Sequence, residues 1–181
     1  MIAIASLSLV CGIAFADKAC SWQVKLGAEP SVELNGQQLR IDKALSRKLR
    51  GANQAELLPA SVTMFNGDRA KWVVLRSPSS ERGDAGFCGA GHEDRLVLLD
   101  VKAATVRLVG EFLAQSCLSS ISMNADQMDE LVRALDQDPA DGSFVFRQTV
   151  SSDLDSFTRE VKINVVHGRL RMTTRKVQVD E

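Results

Sequence analysis

The sequence predicts a mainly β protein with two short helices, built as an antiparallel meander. Three observations carry that reading. Apolar or alternating runs of strand length, among them Trp72 to Arg76, Arg95 to Val101, Thr105 to Leu113 and Phe157 to Val166, outnumber helical periodicities. The dipeptides Asn35-Gly36 and His167-Gly168 supply the positive φ angles that a two-residue hairpin turn needs. Most consecutive strand runs are joined by connections too short for parallel crossovers. No fixed-period repeat or blade signature selects among a sandwich, a barrel and a small propeller-like arrangement.

Met1 to Ala16 is an uncharged apolar run that ends on Ala14-Phe15-Ala16, the small-x-small pattern of a signal-peptidase site. Residues 1–16 are therefore expected to form a signal peptide and residues 17–181 a single β-rich domain, with a periplasmic or secreted location. No Lys or Arg precedes Lys18, which a start codon farther upstream would explain. A buried N-terminal strand is the alternative, and lipidation at Cys11 is disfavoured because Val10 is not the small residue such a site requires.

Ser31 to Ile41 then reads as a hairpin about Asn35-Gly36, with Val32 and Leu34 on one arm and Leu39 and Ile41 on the other. Asp42 suits a helix N-cap ahead of Ala44, Leu45, Lys48 and Leu49, and Gly51 is placed to stop the helix. Pro59 breaks the following run, and Val62 to Phe65 is extended. Ser77 to Gly91 lacks periodicity and is read as a loop. Asn124 is expected to cap a second helix, in which Met128, Leu131, Val132 and Leu135 share a face before Pro139 ends it. Ser143 to Val150, Phe157 to Val166 and Arg169 to Val179 complete the strands.

A formal net charge of −1, from 22 Lys+Arg against 23 Asp+Glu, provides no global field to attract nucleic acid or an anionic membrane surface, so no nucleic-acid partner is expected. The basic run Arg40 to Arg50 and the acidic run Asp126 to Asp141 read as solvated helix faces. Of the four cysteines, Cys11 leaves with the leader. Cys88 and Cys117 are equidistant in sequence from a turn between Lys102 and Ala103, which predicts a cross-strand disulfide and leaves Cys20 over.

The densest polar constellation is Phe87-Cys88-Gly89-Ala90-Gly91-His92-Glu93-Asp94. Its glycines lead into a strand instead of a helix, so it is not a phosphate loop. Glu93 and Asp94 are expected to mark an exposed strand entrance and, as neighbours on a strand, to point to opposite faces, which makes them a poor acid–base dyad. His92 and His167 are too few for a metal site. Asp136 to Gly142 lacks the ligand spacing and distal Glu of a calcium loop. No Gly-x-Ser-x-Gly elbow is present. Trp22, Trp72, Phe144 and Phe146 are read as core. No catalytic, cofactor or metal residue is assigned.

The Phe87 to Asp94 segment, together with Gln115-Ser116-Cys117-Leu118, resembles a pattern in small uncharacterised secreted proteins of Gram-negative bacteria. The resemblance covers the central third and brings no activity with it. In broad format the chain is also similar to periplasmic inhibitors and immunity proteins that plug cell-wall hydrolases. The expected function is an exported non-catalytic binding protein whose partner is another envelope protein, with Ser79, Arg82, Asp84 and His92 as contact residues. A secreted enzyme with an acidic site and a structural envelope component are the alternatives. No cofactor and no stable membrane span after leader removal are expected.

Overall fold

Two strands that are apolar on both sides organise the fold. The computed structural model describes residues 21–63, 69–79, 91–135, 143–152, 155–167 and 169–178, and these form a mainly β structure with two short helices. The strands are β1 (Trp22–Lys25), β2 (Ser31–Leu34), β3 (Gln37–Ile41), β4 (Gln54–Thr63), β5 (Arg69–Pro78), β6 (His92–Lys102), β7 (Thr105–Ser116), β8 (Ile121–Ser122), β9 (Phe144–Ser151), β10 (Ser156–Val166) and β11 (Arg169–Val177). Helix α1 (Lys43–Gly51) follows β3, and α2 (Met128–Leu135) follows β8.

Strands β4 to β7 pair antiparallel in sequence order, with β5 and β6 in the middle in the register Trp72↔Leu98, Val73↔Val97 and Val74↔Leu96. Alternation sends Trp72, Val74, Leu96 and Leu98 to one face, where Leu131 and Leu135 of α2 and Phe144, Phe146, Val161 and Ile163 of β9 and β10 cover them. Val73, Leu75, Val97 and Leu99 go to the other face, under Leu45 and Leu49 of α1 and Trp22, Val32 and Leu39 of the first three strands. Continuous apolar runs are what a strand with no wet face requires. Each fully buried Leu or Val removes roughly 1.5 to 3 kcal/mol worth of apolar surface from water. Trp72 and Phe144 meet edge to face at 5.3 Å, and Phe112 meets Phe146 at 5.5 Å.

The local chemistry agrees with the sequence reading at the start of α1 and in the hairpins, while α1 runs through Gly51 and is capped by Ala52 in extended conformation. Asp42 Oδ1 accepts from Leu45 N at 2.7 Å as the N-cap, while its Oδ2 accepts from Leu108 N at 3.2 Å and ties the helix to β7. Asn35, Gly36 and His167 hold positive φ in their turns. All four aromatic residues read as core are buried.

Other features differ from the sequence reading. Pro59 does not end a run: β4 continues through it with a register shift between Leu57 and Ser61, tolerated because among the described strands β4 pairs with β5 alone. One parallel contact, Arg40↔Thr105 and Ile41↔Val106, joins β3 to β7, made possible by the long excursion through α1 and β4 to β6. Asn124 sits at φ +54 ahead of α2, and it is Glu130 that reaches back to accept from the backbone N–H groups of Asp126 and Gln127. Ser77 and Pro78 belong to β5, paired with Glu93 and His92. Pro139 lies outside the described residues.

The β6–β7 turn is centred on Ala103 and Ala104, at φ +49 and +58, one residue beyond the expected centre. Two register shifts, between Asp94 and Arg95 and between Leu98 and Leu99, add residues to the β7 side, so Ser116 faces Glu93. Equal sequence distance from the turn therefore does not identify cross-strand partners here. Two alanines in the left-handed region are each strained by about 1 to 2 kcal/mol relative to a right-handed conformation. Replacing the pair by Ala103→Asn and Ala104→Gly is expected to raise the unfolding free energy by about 1 kcal/mol in denaturant titration, with an unchanged slope.

Candidate functional site

At the end of β5, β6 and β7 far from that turn, the apolar runs give way to charge. The register brings Arg76 opposite Asp94 and Asp94 opposite Gln115, on the face that carries Val74 and Leu96. Asp94 is fully buried, so its charge must be matched in place. Arg76 does this as a two-pronged donor, Nε to Oδ1 at 2.7 Å and one Nη to Oδ2 at 2.9 Å, and its other Nη donates to Asp126 O at 3.0 Å.

Gln115 extends the network to the segment before α2. Its Oε1 accepts from Met123 N at 3.0 Å and its Nε2 donates to Ala125 O at 2.9 Å, which fixes the amide's orientation. The remaining Nε2 proton faces His92 Nε2 at 3.0 Å and Asp94 Oδ2 at 3.4 Å. His92 Nε2 is itself 3.2 Å from Asp94 Oδ2. A neutral imidazole with its proton on Nδ1 accepts from Gln115, whereas a protonated ring donates from Nε2 to Asp94. The His92 side chain is 28% exposed, so one part of it meets solvent while Nε2 faces the network.

The opposite face of the same strand ends is organised by Glu93. Its Oε1 accepts from Ser116 Oγ at 2.9 Å and Leu118 N at 3.3 Å, with Ser79 Oγ at 3.5 Å. Ser79 N donates to Gly91 O at 3.1 Å and Cys117 N to His92 O at 3.3 Å. A Cβ on Gly91 would stand 2.7 Å from Cys117 Cβ and 2.8 Å from its Sγ, so glycine is required here by packing. Cys117 is disulfide-bonded. Cys11, Cys20 and Cys88 lie outside the described residues.

The sequence-predicted contact residues separate accordingly. Ser79 and His92 come together at the roots of the 80–90 segment, and Arg82 and Asp84 lie outside the described residues. Glu93 and Asp94 do point to opposite faces, but neither is an exposed strand entrance; both are buried because Arg76 and the Ser116–Leu118 turn supply their partners. Sequence reasoning gave Arg76 no role and placed Gln115 only within the Gln115-Ser116-Cys117-Leu118 pattern. A charged residue ending the Val73-Val74-Leu75 run is the signal that points to Arg76. His167 occupies its turn between β10 and β11, far along the chain from this cluster.

Chemically, the arrangement ties three strand ends and the 117–126 connection into one unit. Among the described residues, no group of three or more His, Cys, Asp or Glu side chains is placed to hold a metal ion, and no helix is long and apolar enough to cross a membrane.

Removing one partner of the buried pair leaves the other charged and dry. Arg76→Ala and Asp94→Ala are each expected to cost about 3 to 5 kcal/mol in chemical denaturation. Arg76→Lys, which keeps the charge and loses the fork, is expected to fall between them and wild type. A loss below about 1 kcal/mol for Asp94→Ala would contradict a buried, paired carboxylate.

No protein-family model, curated protein or solved structure matches the chain, so the chemistry of this site is taken from its own geometry.

Proposed function

We propose that this chain is an exported, non-catalytic binding protein that inhibits an envelope hydrolase, docking through the segment between Ser79 and Gly91. One observation supports the reading above others: both roots of that segment are anchored in buried polar networks. Ser79 is bonded to Gly91, Glu93 gathers Ser116 and Leu118, and Asp94 is gripped by Arg76. Segment ends held in place lose less conformational freedom on docking, which favours their use for binding. On this reading Ser79 and the partly exposed ring of His92 are contact residues at the roots of the segment, and Arg82 and Asp84 supply contact charges.

Purified protein added to an envelope extract is expected to slow peptidoglycan hydrolysis, and the double variant Arg82→Ala/Asp84→Ala to lose that effect with its unfolding free energy changed by no more than about 0.5 kcal/mol. Three results count against the proposal. Wild type could leave hydrolysis unchanged, the variant could inhibit equally, or the pure chain could degrade the polymer itself, which would make it an enzyme.

The same reading pairs Cys117 with Cys88 and leaves Cys20 reduced. Peptide mapping without reduction is expected to recover the 88–117 link, and Cys88→Ser/Cys117→Ser to cost about 2 to 5 kcal/mol. Recovery of Cys117 linked to Cys20 would overturn the pairing.

A further inference from the structure

The outward face of β9, β10 and β11 concentrates positive charge. Phe144, Phe146, Val161 and Ile163 point inward to the core, so the residues that alternate with them point out. The register sets those outward residues side by side: Glu160 lies opposite Arg147 and Arg175, Lys162 opposite Val145 and Thr173, Asn164 opposite Arg171, and Val166 opposite Arg169. All five basic residues in this set are exposed. Because the whole chain has a formal net charge of −1, the concentration is a segregation of charge within the molecule.

Glu160 is the one carboxylate in this set, and it is taken up by Arg175 at 2.8 Å. Its hydrogen bond and its charge hold that guanidinium above its ordinary range. Among the described residues, no carboxylate stands within ion-pair distance of Arg147, Lys162, Arg169 or Arg171. Neighbouring cations without counter-charges repel one another, and a surface built this way is completed by an external anion.

The shape of the face selects among anions. It is a sheet about 30 Å long and about 10 Å across its three strands, and its outward residues all stand on strands. None of its outward residues is aromatic, so it offers no ring on which an unpaired base could stack. Four of its five cations are arginines, whose forks match phosphate oxygens in pairs. Near β9 the face borders a concavity lined by Val145, Arg147 and Glu160 with Met123 and Ala134.

We propose that this face docks the protein on an anionic phospholipid bilayer, with Arg147, Lys162, Arg169 and Arg171 against the headgroup phosphates. The proposal is independent of the 79–91 segment. Each such cation near an anionic surface contributes roughly fivefold to association.

The test is co-sedimentation of the full chain with vesicles of phosphatidylcholine containing phosphatidylglycerol, against phosphatidylcholine alone. Wild type is expected to bind only the anionic vesicles and to be released by salt. Arg147→Glu/Lys162→Glu/Arg171→Glu is expected to weaken binding at least tenfold. Lys43→Glu/Arg47→Glu/Arg50→Glu, the same charge change on α1, is expected to leave it within about twofold. If the first triple variant fails to fold by circular dichroism, Arg147→Gln/Lys162→Gln/Arg171→Gln is expected to show a smaller loss in the same direction. Absence of wild-type binding to anionic vesicles overturns the proposal. So does equal loss in the α1 variant, or binding of an oligonucleotide in place of the vesicles.

Discussion

Strands β5 and β6 have water on neither face, and the rest of the structure follows from that constraint. A strand buried on both sides cannot alternate apolar and polar residues, so Val73 to Leu75 and Leu96 to Leu99 are uninterrupted. Both of their faces then need covers. α1 with the first three strands provides one, and α2 with β9 and β10 the other. The parallel contact between β3 and β7 and the Asp42 bond to Leu108 N pin the first cover to the central strands. On the opposite face, Gln148 donates from Nε2 to the backbone carbonyls of Leu113 and Ala114, and Arg159 donates to its Oε1.

The same constraint dictates what happens when charge enters these strands. Arg76 and Asp94 occupy the last buried positions on their shared face of β5 and β6, where an unmatched charge would be severely destabilising, so each is fully engaged. An apolar pair of similar volume would cost less desolvation. What the ionic pair adds is directionality: a bidentate fork has one good geometry, and with Gln115 it locks the strand ends to the backbone at Met123, Ala125 and Asp126. That locked end is what gives the 79–91 segment fixed roots.

Much of the fold was legible because it depends on local chemistry. The type I′ turn at Asn35-Gly36, the Asp42 cap and the apolar runs of β5 and β6 each announce themselves within a few residues. The candidate site was only half legible. Ser79 and His92 stand beside the conspicuous glycine-rich stretch, but Arg76 and Gln115 become partners of Asp94 only through register across three strands. Two register shifts in β6–β7 moved that register away from simple symmetry about the turn. A turn built on Ala103-Ala104 carries no glycine or asparagine to mark it, and for the same reason its centre was misplaced by one residue. The basic outer face was invisible for a related reason. Its residues are scattered along three strands, and a net charge near zero conceals their gathering on one side.

The claim that the polar strand ends are as rigid as the apolar centre is the one on which the site depends. Native-state hydrogen exchange measures it directly. Amides of Arg76, Asp94 and Gln115 are expected to exchange only through global unfolding, with the same opening free energy and denaturant slope as those of Val73 to Leu75 and Leu96 to Leu99. Exchange at Arg76, Asp94 and Gln115 through a smaller, denaturant-independent opening, while the apolar centre stays protected, would show the strand ends fraying and contradict the account.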